Sequence, residues 1–177
     1  MEKKTNWYVI TGGPGSGKTT TVNLLAARGY KTTIEHARHY LDTKRTGGRT
    51  VSQLRANQSE FQLGVLMMQI EQEASLPAED LVFLDRALPD ARAYYRFLGL
   101  REDPLLSEAL NTVDYKGIFI LDPLPLVNDY ARTEDEAAQL KIHELIVEVY
   151  SSLAFPITTV PVMPAENRVD LIASVAA

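Results

Sequence analysis

The sequence predicts an α/β domain in which buried parallel strands alternate with crossover helices, and three observations support this prediction. Short apolar runs of four or five residues alternate with longer stretches of helical periodicity, as a buried parallel sheet requires. The 177 residues, 45% of them hydrophobic, can supply one sizeable core. A glycine-rich turn joins the first strand to the first helix. We therefore expect residues 1–177 to form a single domain.

Each predicted element has its own local signal. The five strands are the apolar runs Trp7 to Thr11, Tyr30 to Ile34, Leu81 to Leu84, Gly117 to Leu121 and Ile157 to Val160. Helix ends are marked by capping side chains, by prolines in the first turn and by glycines after the last turn. These signals place helices from near Gly17 to before Gly29, from about Val51 to Glu73, from Pro89 to Leu98, after Asp103-Pro104, from the capping box Thr133–Glu136 to about Leu153, and after Pro164.

The composition excludes several classes of protein. Eighteen Lys and Arg residues against 23 Asp and Glu give a net charge of −5, so a dedicated nucleic-acid binder is disfavoured. Without cysteine there is no disulfide framework or thiolate zinc site, and we expect any metal to be bound by oxygen. No run reaches the roughly 18 apolar residues of a membrane span, and the N-terminus lacks a secretory layout. We expect a cytoplasmic protein without a membrane span.

The glycine-rich turn predicts a nucleotide site. Residues 12–19 read Gly-Gly-Pro-Gly-Ser-Gly-Lys-Thr, which matches G-x-x-x-x-G-K-[ST] between a strand and a helix. Backbone N–H groups of such a loop face one concavity, and the helix dipole adds positive potential there, so a triphosphate can be held. We expect Lys18 to reach the β and γ phosphates of ATP, with GTP also possible, and Thr19 to bind Mg²⁺. The predicted nucleotide-binding residues are Gly13, Pro14, Gly15, Ser16, Gly17, Lys18, Thr19 and Thr20.

An acid and an arginine end the third predicted strand. Asp85 lies where parallel sheets bind ligands and is a candidate for the Mg²⁺ shell, ahead of Asp122 after the fourth strand. Arg86 stands where many ATP-hydrolysing motors have a glutamate that polarises water, so a motor is disfavoured. An alternative is that Asp85 caps the helix that contains Pro89.

Two further arginines and one glutamate lie near predicted strand ends or loops. Glu35 is a candidate base or hydroxyl anchor for an acceptor, and Arg38 is a candidate for binding substrate or phosphate. Their spacing of three also fits a surface ion pair of little energetic value. Arg132 lies in a proline-containing segment, a predicted lid around residues 122–134, and could close on a transferring phosphoryl group or simply be solvated. The three histidines are assigned no chemistry.

Four groups of residues carry a family resemblance: Tyr8 to Thr20, Gly29-Tyr30 with Glu35 to Arg38, Asp85-Arg86 with Leu88 to Asp90 and Tyr94, and Pro161 with Glu166 to Arg168. Together they resemble an AAA-like P-loop family that includes the ribosylnicotinamide kinase part of the bacterial NAD-regulator protein. The family also includes a eukaryotic trafficking protein that binds GTP and phosphoinositide. The resemblance implies a three-layer α/β/α P-loop NTPase fold with strand order 2-3-1-4-5.

More distantly, the sequence is similar to nucleoside and nucleotide kinases. That similarity implies that Glu35 acts on the acceptor hydroxyl, that Asp85 and Arg86 serve phosphoryl transfer, and that Arg132 is the lid arginine. It also implies that Arg168 helps to bind the nucleotide by clasping its base.

The leading functional prediction is a Mg-ATP-dependent phosphotransferase for a small hydroxylated acceptor such as a nucleoside or ribosyl compound. Its predicted catalytic residues are Lys18, Glu35, Asp85, Arg86 and Arg132. A nucleotide-dependent switch or binding module and a plain ATPase are the alternatives. The acceptor and the oligomeric state are left open.

Overall fold

The structure, a computed structural model, describes residues 4–35, 50, 53, 57–124 and 136–177. Its five strands are β1 Trp7–Thr11, β2 Lys31–Thr32, β3 Val82–Asp85, β4 Gly117–Leu121 and β5 Ile157–Val160. They form one parallel sheet in the order β2-β3-β1-β4-β5, which confirms the topology that the family resemblance implies. The helices of the described residues are α1 Lys18–Ala27, α2 Gln58–Ser75, α3 Leu88–Phe97, α4 Pro104–Leu110, α5 Glu136–Ser151 and α6 Ala165–Ala176.

Helices cover both faces of the sheet, because successive strand residues point to opposite sides. In β1, Val9 belongs to the buried cluster that includes residues of α3 and α5. Its neighbours Tyr8 and Ile10 belong to the cluster on the other face, which includes residues of α1 and α6. Every residue of β1, β3 and β4 is buried, as expected for central strands of a three-layer α/β/α fold.

Strand β2 is shorter than the predicted Tyr30 to Ile34. Only Lys31 and Thr32 pair with β3. At Thr33 the side chain enters the ladder, because its hydroxyl accepts a hydrogen bond of 3.0 Å from the backbone N–H of Asp85. The chain then leaves the sheet edge, where Ile34 is 49% exposed, and brings Glu35 to the phosphate loop.

The helix boundaries largely follow the predicted signals. Asp103 caps α4 by accepting a hydrogen bond of 2.8 Å from the N–H of Leu105. The cap of α3 differs from the alternative considered for Asp85: Asp90 accepts a hydrogen bond of 3.0 Å from the N–H of Ala87 at the start of that helix. The predicted start of the second helix near Val51 is wrong: the helix begins at Gln58, because Asn57 is not helical and its side chain caps the helix by accepting a hydrogen bond of 3.1 Å from the N–H of Glu60.

Two expectations lie mainly outside the described residues. They are the capping box at 133–136 and the lid around 122–134. Among the residues that are described, no helix combines the length and the apolar character needed to cross a membrane.

Candidate active site

The phosphate loop connects β1 to α1 at the carboxyl end of the sheet. Gly15 and Gly17 have φ values of 71° and 85°, in the left-handed region where a side chain would be strained. Lys18 is the first residue of α1 and is buried, with 1% exposure. Thr20 is exposed on the first turn, whereas Ser16 is buried. The loop thus has the backbone form that its sequence predicts.

Glu35 bridges the start of α1 and the end of β3. Its Oε2 accepts a hydrogen bond of 3.2 Å from the hydroxyl of Thr19, and its Oε1 lies 3.7 Å from Nε of Arg86. The side chain of Glu35 is 14% exposed, so it remains partly open to solvent. The predicted acceptor acid therefore lies beside the predicted magnesium ligand of the phosphate loop.

Asp85, the last residue of β3, is a buried acid with an unsatisfied oxygen. Within the described residues its Oδ1 accepts no hydrogen bond. Burial raises the pKa of Asp85 to about 6, opposed by the charge of Lys18 and reinforced by that of Glu35. A buried carboxylate oxygen without a partner is costly. An oxygen-preferring cation such as Mg²⁺ would satisfy it, so Asp85 and Thr19 have the right donor chemistry for that ion.

Arg86 is held in one position by several neighbours. Its φ is 67°, and its guanidinium donates to the carbonyl of Gly12 at 3.3 Å, to Asp90 Oδ1 at 3.0 Å and to the hydroxyl of Tyr94 at 3.1 Å. Burial alone would lower the pKa of Arg86, but Tyr94, Asp90 and Glu35 outweigh burial and raise it. The charged side chain is therefore fixed between the phosphate loop and Glu35.

Asp90 anchors this arrangement from the first turn of α3. Its carboxylate accepts hydrogen bonds from Arg86, from the N–H of Ala87, from the hydroxyl of Thr11 and, at 2.5 Å, from the hydroxyl of Tyr150. Asp90 is 3% exposed, so these bonds are shielded from water. In the sequence, Asp90 is visible only as part of the motif that carries the family resemblance, without a predicted role.

A second buried acid is Glu73 of α2, which is 7% exposed. Its Oε1 accepts from Nε2 of Gln69 at 2.8 Å and from the N–H of Leu88 at 3.1 Å, and its Oε2 accepts from the hydroxyl of Tyr115 at 2.8 Å. Burial raises the pKa of Glu73 to about 7, against the effect of these hydrogen bonds. Glu73 thereby fastens α2 to the start of α3.

Helix α5 contacts the phosphate loop through two polar side chains. Nε2 of Gln139 donates to the carbonyl of Pro14 at 2.5 Å and to that of Leu124 at 3.2 Å. Nδ1 of His143 accepts a hydrogen bond of 3.2 Å from the N–H of Gly13. Burial lowers the pKa of His143, which favours the neutral imidazole that this bond requires. Neither residue is among the site residues predicted from the sequence.

Arg168 of α6 contacts the loop from beneath. Its guanidinium donates to the carbonyls of Ser16 at 2.5 Å, Asp122 at 2.9 Å and Pro161 at 3.1 Å. The residue is 2% exposed. The kinase similarity implies contact with a base, whereas in the structure the side chain binds main-chain carbonyls at the ends of β4 and β5 and in the loop.

The structure therefore brings most of the predicted site residues to one end of the sheet. Lys18, Thr19, Glu35, Asp85 and Arg86 surround the end of β3 and the start of α1. Two predicted residues, Arg38 and Arg132, lie outside the described part of the chain.

The loop, the parallel sheet and its strand order define a P-loop NTPase fold of the kinase-like type. The chain belongs to the AAA domain family, whose pattern it matches over residues 7–168. A comparison with curated protein sequences finds no match.

Solved structures share the fold at low sequence identity. The NadR protein in complex with NR aligns with a TM-score of 0.69 and 17% identity over 96% of this chain and 51% of the NadR chain, so this chain spans about half of that protein. Deoxyadenosine kinase from M. mycoides, with the products dCMP and dCDP bound, gives a TM-score of 0.63 and 14% identity over 95% of this chain and 97% of the kinase. Thymidylate kinase from Ehrlichia chaffeensis gives a TM-score of 0.65 and 15% identity over 98% of this chain and 100% of the kinase.

Proposed function

We propose that the protein is a Mg-ATP-dependent phosphotransferase that acts on a small hydroxylated acceptor such as a nucleoside or ribosyl compound. The observation that carries this proposal is the position of Glu35, 3.2 Å from the hydroxyl of Thr19 and 3.7 Å from Arg86. A loop that only bound nucleotide would not require a partly open carboxylate beside it. The kinases that share the fold act on or bind nucleosides and nucleotides, which supports the same class of acceptor.

The nucleotide would be held mainly by backbone N–H groups of the loop and by Lys18. Thr19 donates its hydroxyl hydrogen to Glu35, so the lone pairs of its oxygen remain for a cation. We assign Thr19 and Asp85 to Mg²⁺, which would neutralise phosphate charge when bound with the nucleotide. GTP could occupy the same loop, because these contacts do not read the base.

Glu35 would orient the acceptor hydroxyl and take its proton. As the acceptor oxygen forms a bond to the γ-phosphorus, the bond from that phosphorus to the ADP oxygen breaks, and ADP keeps the electron pair. Arg86 would stabilise the negative charge on the transferred group, and its contacts with Asp90 and Tyr94 keep it in place without reorganisation. Arg132 would close on the same group, and Arg38 would bind the acceptor.

The test is ADP release from Mg-ATP in the presence of a panel of nucleosides and ribosyl compounds, including nicotinamide riboside. We expect one class of acceptor to stimulate release, and Lys18→Ala to abolish it while the fold stays intact. Glu35→Gln should lower kcat by about a hundredfold or more with little change in ATP affinity, as for loss of a general base. Glu79→Gln, at an exposed glutamate far from the loop, is the matched control.

Two results would contradict the proposal in different ways. ATP hydrolysis that no acceptor stimulates would indicate a plain ATPase. Tight nucleotide binding without turnover would indicate a nucleotide-dependent switch or binding module. Equal kcat in Glu35→Gln and the parent would remove Glu35 from the chemistry even if transfer occurs.

A further inference from the structure

Three side chains from separate parts of the fold hold alternate carbonyls of the phosphate loop. Arg86 donates to the carbonyl of Gly12. Side chains of α5 and α6 donate to the carbonyls of residues 14 and 16. Gln139 donates to Pro14, and Arg168 donates to Ser16. We propose that Gln139 and Arg168 are positioning residues that set the direction of the loop's peptide groups and thereby create its anion site. This inference rests on the proposed nucleotide binding.

The geometry of the peptide bond links these carbonyls to the anion site. In a trans peptide the C=O of one residue and the N–H of the next point in opposite directions, and the described chain has no cis peptide. Bonds that hold the carbonyls of Pro14 and Ser16 from outside therefore turn the N–H groups of Gly15 and Gly17 to the other side. Within the described residues, neither N–H donates a hydrogen bond. Both are available to an anion in the concavity.

Glycine makes this external support necessary. Gly15 and Gly17 lack a side chain that would restrict rotation of the adjoining peptides, so the sequence of the loop does not by itself fix their direction. The supporting side chains are well fixed, because Gln139 and Arg168 are each 2% exposed. Gln139 must present its NH₂ group to the loop, since both of its partners are carbonyls.

The charge of Arg168 is a second observation that points to an anion. Within the described part of the chain Arg168 forms no ion pair, and burial lowers its pKa. A Cβ atom built on Gly17 would lie 3.2 Å from the guanidinium, so the positive charge sits directly under the loop. Carbonyls supply the hydrogen bonds of this buried cation, and the charge of Asp122 partly opposes the effect of burial on its pKa. Phosphate bound above the guanidinium would complement its charge further.

The test is calorimetric titration of Mg-AMPPNP into the parent, Gln139→Leu, Arg168→Met and Arg168→Lys. We expect each variant to bind about tenfold or more weakly, the effect of losing a buried or charged hydrogen bond. Arg168→Lys keeps the charge, but a lysine cannot donate to three carbonyls at once. The affinity of Arg168→Lys for Mg-AMPPNP should therefore be close to that of Arg168→Met. Matched controls are Arg28→Ala, which breaks two exposed ion pairs between α1 and α6, and Lys141→Ala on α5.

Glycine-selective ¹⁵N NMR separates positioning from loss of fold. In the parent, nucleotide should shift the amide signals of Gly15 and Gly17. In Gln139→Leu the nucleotide-induced shift of the Gly15 amide should be smaller than that of the Gly17 amide. In either Arg168 variant the shift of the Gly17 amide should be smaller than that of the Gly15 amide. Glycine signals distant from the loop, such as that of Gly99, should match the parent, which shows that the fold is intact.

Each outcome has a defined meaning. Parent-like affinity in Arg168→Met and Gln139→Leu would overturn the inference while leaving nucleotide binding in place. Full recovery in Arg168→Lys would also overturn it, because charge alone would then be sufficient. A parent protein that binds no nucleotide would instead refute the proposed function on which the inference rests.

Discussion

The buried carboxyl of Glu73 makes the stability of the protein depend on pH in a defined direction. Its pKa is raised from 4.5 to about 7, first by burial, so the folded state binds this proton more tightly than the unfolded state does. The stabilising contribution is complete below the unfolded pKa and is lost as the pH rises through the folded pKa. A difference of two to three pH units corresponds to about 3 kcal/mol. This is the cost of ionising Glu73 in the folded protein.

Glu73→Gln removes the cost and keeps the geometry. The amide oxygen can accept from Gln69 and from the N–H of Leu88, and the amide nitrogen can donate to the oxygen of Tyr115. The variant should therefore exceed the parent in free energy of unfolding by about 2 to 3 kcal/mol near pH 8, and the gain should largely disappear near pH 5.

The assay is urea unfolding followed by the fluorescence of the single, buried Trp7 at both pH values. Glu79→Gln, at an exposed glutamate, should show no such pH dependence. The assignment of a raised pKa to Glu73 would be refuted if Glu73→Gln and the parent differed in free energy of unfolding by the same amount at about pH 5 and about pH 8.

Three further predictions concern the loop and its support. Asp90→Ala should lower the free energy of unfolding by about 3–5 kcal/mol in chemical denaturation, because the buried Arg86 loses an ion-pair partner. Tyr150→Phe removes only one donor to Asp90 and should lower it by about 1 kcal/mol. Gly13→Ala should weaken Mg-AMPPNP binding in calorimetry, because its Cβ would lie 2.9 Å from a backbone oxygen of α5. Asp85→Asn should lose the Mg²⁺-dependent part of ATP binding and keep the rest, as shown by titration with and without Mg²⁺.

The fold was predictable because its signals are local. The strands β1, β4 and β5 have the predicted bounds, and Asp103-Pro104 marks the start of α4. Strand β2 was predicted too long because an apolar run shows only that residues can be buried. Where the ladder ends is decided by a side chain, the hydroxyl of Thr33, that bonds to the neighbouring strand.

The site was predictable only where a residue has its own sequence motif. Lys18 and Thr19 follow from the loop pattern, and Glu35 follows from its place after a strand. Gln139 could have been suspected, because it is a polar residue on the buried stripe of α5 that also contains Ile142 and Ile146. That Gln139 contacts the carbonyl of Pro14 could not have been predicted, since the two residues are 125 apart in sequence.

Arg168 shows the limit of inference from position alone. Its place after β5 fits contact with a base, but which atoms a buried guanidinium reaches depends on how α6 packs against three loops. The same holds for Asp90, whose four donors come from β1, from α5 and from the consecutive residues Arg86 and Ala87 between β3 and α3. Such networks form only after the sheet and helices have assembled.

The most direct test of the central claim is transfer of the terminal phosphate of γ-³²P-labelled ATP, with the products separated after incubation with Mg²⁺ and the acceptor panel. The proposed function predicts label on one class of hydroxylated acceptor in the parent and in Glu79→Gln, with loss of that label in Lys18→Ala and Glu35→Gln. Label that appears only in inorganic phosphate, or remains entirely in ATP while the nucleotide is tightly bound, would contradict it.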